Sequence, residues 1–73
     1  MKRVGALGAA VDVEGFALAG AVVLVAEDDD AVDAMWAQVD DGIGVLILGP
    51  QASERLASRV AERPSLLTVV MPR

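Results

Sequence analysis

Charged side chains gather in two places where their types and spacing could do chemistry. Glu27, Asp28, Asp29 and Asp30 follow directly on the apolar run "AVVLVA" (21–26). Carboxylate oxygens suit a hard cation such as magnesium, and α/β sheets hold their ligands at the carboxyl ends of strands. Arg55, Arg59 and Arg63 recur at i, i+4 and i+8, a single positive stripe along one side of a helix. Such a stripe suits an acidic partner helix. It equally suits the wet side of a helix, with Arg63 well placed at a negative C-terminal end.

The acidic run has a plainer use as well. A receiver-type magnesium pocket needs a phospho-acceptor after the third strand and a lysine later in the chain. Here the third apolar run ends "LILGPQ", without a carboxylate, and Lys2 is the only lysine. The run Glu27–Asp30 therefore reads first as a solvated helix start, where carboxylates accept from free N–H groups and complement the helix dipole.

The remaining chemistry is sparse. The chain has no His, Cys or Tyr, which excludes disulfides and the usual Cys/His zinc sites. Ser53, Ser58 and Ser65 have no base at an activating spacing, so acid–base work would fall to carboxylates, arginine or Lys2. Gly5, Gly8 and Gly15 do not form G-x-G-x-x-G, and Asp12 and Glu14 would repel a phosphate beside them. Gly8 is better used in a tight strand-to-helix turn. The expectation is a chain with no catalytic residues, no metal and no cofactor.

Composition narrows the partners. Eleven acidic against six basic residues give a net charge of −5, and Trp36 and Phe16 are the only aromatics. Such a surface repels phosphate backbones and has little to stack on bases, so nucleic acid is excluded. The longest charge-free apolar run, 16–26, is far shorter than the roughly 20 residues of a membrane-spanning helix. Asp12 and Glu14 interrupt the N-terminal apolar stretch too early for a signal peptide, which points to the cytoplasm. At 73 residues, one domain with a total stability of about 4–11 kcal/mol is expected. With so small a core, a partner or a second copy becomes a natural means of support.

The elements that must position these groups follow from the hydrophobic pattern. Runs at 21–26, 43–49 and 66–71, and a weaker one at 3–8, are continuously apolar and rich in Val, Ile and Leu. Strands covered on both faces read this way, as in a parallel sheet. Val32, Met35, Trp36 and Val39 fall at i, i+3, i+4 and i+7, one stripe of a helix that an aspartate of 28–30 starts and Gly42 ends in left-handed geometry. A second helix spans 50–64, with Pro50 at or before its start and Ser53 as a candidate cap. Ala52, Leu56, Ala57 and Val60 lie inside it, and Pro64 is its stop. Asp12 caps a two-turn helix carrying Val13, Phe16 and Ala17 inward, and Gly20 ends it directly before the strand at 21–26. The order strand, helix, strand, helix, strand, helix, strand predicts a single domain, 1–73. It would be a small, doubly wound, four-stranded parallel sheet with helices on both faces, flavodoxin- or receiver-like.

With this alternation in place, "EGFALAGAVV" (14–23) resembles the G-F-R-L-A-G-[VI] signature found in the F subunit of vacuolar/archaeal-type (V/A-type) rotary ATPases and ATP synthases. Gly15, Phe16, Leu18, Ala19 and Gly20 match, while Ala17 replaces the usual arginine. "IGVLILGPQASERL" is similar to that family's third-strand segment through Gly44, Val45, Leu46, Ile47, Leu48, Ala52 and Leu56, with Gly49 and Pro50 where Thr-Glu is common. "RPSLLTVVMP" is similar to its last strand through Val69, Val70 and Pro72. The resemblance implies a non-catalytic rotor subunit of the central stalk. It would bind the coiled-coil D subunit, modulate coupling in a proton- or sodium-translocating complex, and lie in the cytoplasm, peripheral to the membrane. The family continues into a C-terminal helix, whereas this chain stops at Arg73, as a truncated or a naturally short form. Arg55, Arg59 and Arg63 are the candidate partner contacts. The rival expectations are a degenerate receiver-like domain that binds magnesium through Asp28 to Asp30, and a homo-oligomer built on the apolar surface the absent helix leaves bare.

Overall fold

A computed structural model describes residues 2–72 of the chain; Met1 and Arg73, and with Arg73 the expected chain end, lie outside the described residues. Four strands, β1 (Arg3–Gly8), β2 (Val22–Val25), β3 (Ile43–Leu48) and β4 (Leu67–Val70), form one parallel sheet in the order β2-β1-β3-β4. The connections are α1 (Ala10–Val13) with a 3₁₀ continuation over Glu14–Ala19, then α2 (Asp29–Trp36), then α3 (Pro50–Ala61). The fold is the four-stranded α/β architecture that the alternation of apolar runs predicts.

Side-chain alternation divides the sheet into two unlike faces. Leu7, Leu24, Leu46 and Leu48 point to one side and join Val32, Met35 and Trp36 of α2 and Ala52, Leu56 and Val60 of α3 in the main core. Leu7, Leu46 and Leu56 are wholly buried there. Gly5 belongs to this face because a methyl on it would meet Leu46 and Ile43 at 3.2–3.3 Å. The opposite face carries Ala6 and Gly8, covered by the buried Val13 of α1. Helices therefore flank both faces, but unequally. On the α1 side, α1 packs mainly on β1 and β2, and its 3₁₀ continuation mainly on β2.

The helices depart from the sequence expectation in three places. Asp12 does not cap the first helix. That helix starts at Ala10, and the Ala10 N–H donates to Glu27 Oε2 at 3.3 Å. The register explains this: Gly8 pairs with Val25, so residues two positions past each lie side by side. Ala17, expected inward, is exposed, while Val13 is buried and Phe16 half-buried. Second, α2 ends at Trp36, well before Gly42, and Gly20 (φ +86°) is the only left-handed glycine among the described residues. Gly42 instead donates its N–H to Asp40 Oδ1 at 2.8 Å, so the Asp40 side chain closes a local turn that competes with continued helix. Val39 still reaches the core, from the loop.

Third, α3 begins with Pro50 at its first position behind Gly49, where proline has no N–H to leave unsatisfied. Ser53 is not the cap; its N–H donates to the Gly49 carbonyl at 2.9 Å as the first helical bond. Ala57 faces solvent, not the core. Gly8 does stand at the tight strand-to-helix turn expected of it, ending β1 two residues before α1 begins, and it permits close backbone approach there, as described below. Gly20 does end the first helical segment, so "EGFALAGAVVLV" is a helix that stops and becomes a strand within two residues.

Candidate functional site

The carboxyl ends of the strands, where α/β folds place ligands, are occupied by the chain itself. The strand order reverses between β1 and β3, the position of the ligand crevice in doubly wound sheets. There Gly8 and Gly49 approach so closely that a methyl on Gly8 would stand 3.1 Å from the Gly49 backbone. Asp12 Oδ2 lies over the same spot, 3.4 Å from where a Gly49 methyl would be. No cavity opens among the described residues.

Three members of the acidic run are drawn into different hydrogen bonds. Of the three aspartates at 28–30 that could start the helix, Asp28 is the N-cap of α2 and accepts from the Ala31 N–H at 2.8 Å. Asp29 accepts from Gln51 Nε2 at 3.3 Å, and Glu27 from Ala10. Asp29 and Asp30 occupy the first turn of α2, beside its positive end. Among the described residues no group of three or more His, Cys, Asp or Glu is assembled to hold a metal ion.

The arginine stripe has a more definite structure. Asp33, on α2, is bound twice by α3. Arg55 donates from Nε and Nη2 to Asp33 Oδ1 and Oδ2 at 3.1 and 2.8 Å, a bidentate fork. Arg59 adds a bond from Nη1 to Oδ1 at 2.6 Å. One turn on, Arg63 donates to the Val39 carbonyl at 2.9 Å and sits 5.2 Å from the Trp36 ring centroid, a cation–π distance. Its other nitrogen lies 3.8 Å from Asp41. The hydrogen bonds from Arg55 and Arg59 pull the Asp33 carboxyl down to about 2, and the bond to Asp33 raises Arg55 above its usual value. The seam between α2 and α3 is thus a ladder of ordered charge beside a half-buried Trp36.

Asp33 is the member of this seam that sequence reasoning missed. Nothing local marked it, since Asp33 stands beside the α2 apolar stripe and not in it, and its partners lie 22 and 26 residues away. Arg3 pairs loosely with Asp40 at 3.7 Å, so the arginines among the described residues all face carboxylates of the same chain. Of the residues matched to the F-subunit signature, Gly20 ends the 3₁₀ segment, Phe16 is half-buried, and Gly15, Leu18, Ala19 and Pro72 are exposed. No protein-family model, curated protein or solved structure matches this chain. No helix of the described residues is long and apolar enough to cross a membrane.

Proposed function

We propose that this chain is a non-catalytic rotor-stalk protein, the counterpart of the F subunit, that docks the coiled-coil D subunit of a V/A-type rotary ATPase and modulates coupling there. In this reading it works in the cytoplasm, held at the membrane only through the complex. The observation that carries the proposal is the α2–α3 seam. Interface hot spots are enriched in Trp and Arg, and side chains already ordered in the free protein lose less entropy on binding. Arg55 and Arg59 are fixed by Asp33, Arg63 by the Val39 carbonyl and the Trp36 ring, and each keeps part of its surface open to a partner. The resemblance of "GFALAG" and the two later strands to the F-subunit pattern supplies the partner's identity.

The test is light scattering of the chain alone and mixed with a stalk coiled-coil protein. A 1:1 complex that the double variant R55Q/R59Q weakens while circular dichroism stays native supports the proposal. The absence of any complex, or a complex indifferent to that variant, overturns it.

A further inference from the structure

The large apolar side chains that remain exposed are distributed one-sidedly. On the sheet face opposite α2 and α3, Val4 is 40% exposed, Val25 41%, Leu67 62% and Val69 49%. Val45 and Ile47 lie between them, half-buried, in register with Leu67 and Val69. On the helical layer above this same face, Val11 is 92% and Leu18 96% exposed. Across the sheet, Val70 is the exposed large apolar residue on the α3 side.

This face has a step. The first helical segment packs on β2 and part of β1, one helix diameter of about 10 Å in height, and leaves Val4 of β1 with the β3–β4 half as a trough of similar width. A two-fold axis lying between two copies and running along the strands carries the ridge of each copy over the trough of the other. We propose that a second copy of this chain docks here, with Val11 and Leu18 of each ridge seated against Val4, Leu67 and Val69 of its partner. The contact is isologous and closes on itself, as a two-fold interface must.

Area favours a second copy over a single foreign helix. With Cα extents of 29 × 27 × 22 Å, one face of the molecule projects to about 600–780 Å². That approaches the roughly 800 Å² per partner of a standard stable interface. A lone helix in the trough would cover about half of it and leave Val11 and Leu18 in water. Charge sets the salt response. Two chains of −5 repel, and salt screens that repulsion while apolar contact is maintained, so association strengthens with ionic strength. The dimer face lies across the sheet from the α2–α3 seam, so this inference and the proposed stalk contact can fail independently.

Sedimentation equilibrium on the full chain, from micromolar to millimolar concentration and at low and high salt, reads the assembly directly. A dimer that tightens with salt is expected. Leu18→Lys and Leu67→Asp should each raise the dimer Kd about tenfold or more. Together in one chain they should return it to within about threefold of wild type, because ridge lysine then meets trough aspartate. Both sites are exposed, so the variants should keep native circular dichroism; Val11→Lys with Val69→Asp is the substitute pair if either does not. A monomer throughout overturns the proposal and leaves the face to another chain. So does a dimer that ignores Leu18→Lys, the outcome expected of edge pairing along β4, or a double variant no better than the singles.

Discussion

Gly8 and Gly49 meet back to back at the carboxyl ends of β1 and β3, where a methyl on Gly8 would stand 3.1 Å from the Gly49 backbone, tighter than ordinary contact. The contact is backbone on backbone, so no side-chain rotation relieves it. Together with Asp12 it fills the crevice that the strand order would otherwise offer to a ligand.

Gly8→Ala should therefore destabilise the domain by about 1–3 kcal/mol, the usual cost of forcing a methyl into packed structure. Gly49→Ala should cost less, since its methyl meets Asp12 and Gly8 at an ordinary 3.4 Å. Urea unfolding of the two variants gives the order. Equal losses would mean that the strand ends can separate at little cost.

Asp33 dictates an acid response. Its carboxyl titrates at about 2 in the folded chain, held down by Arg55 and then Arg59, against about 3.9 when unfolded. A depressed carboxylate contributes stability that is complete above its unfolded value and is lost as pH falls toward its folded one. Melting temperatures should fall from about pH 4 to about pH 2 more steeply in wild type than in Asp33→Asn, with the variant already less stable at neutral pH. Parallel acid limbs would show that the fork contributes nothing.

Gly15 and Gly20, both in the first helical connection, should respond to alanine in opposite senses. A methyl on Gly15 meets nothing within 4 Å at negative φ, so Gly15→Ala should stabilise by about 0.4–1 kcal/mol through the unfolded state. Gly20, at φ +86°, ends the 3₁₀ segment, and Gly20→Ala should cost about 1–2 kcal/mol. Thermal melts with the same sign for both would contradict this backbone assignment.

Leu46 is fully buried at the centre of the main core. Leu46→Ala should cost about 2–5 kcal/mol, a large part of the total expected for so small a domain. Its urea midpoint should fall by about a fifth at the least. A smaller loss would indicate a core that collapses around the cavity.

Arg63 should report through Trp36. Arg63→Ala removes a cation 5.2 Å from the ring and uncovers the indole, so the emission maximum should move to longer wavelength while circular dichroism stays native. An unchanged spectrum would place the guanidinium elsewhere in solution.

The continuous Val/Ile/Leu runs and the Val32–Met35–Trp36–Val39 stripe were enough to specify a parallel sheet, three crossovers and most of the core, because unbroken apolar runs are the pattern of parallel strands. The cover on both faces that the runs also imply is absent over β4, where Leu67, Val69 and Val70 are exposed. Gly20, and an aspartate of 28–30 as the start of α2, were legible because each meets a backbone need set by its near neighbours in the chain; that Asp28 is the one came from the structure. What the sequence could not specify was any bond across the fold. Glu27 replaces Asp12 at the start of α1, and Asp33 gathers Arg55 and Arg59, only because strand register and helix packing bring distant segments together. The unequal cover of the two faces was likewise a tertiary outcome. Right-handed crossovers put α2 and α3 on one side and α1 alone on the other, so the exposure of Leu67 and Val69 follows from topology and not from their own apolar pattern.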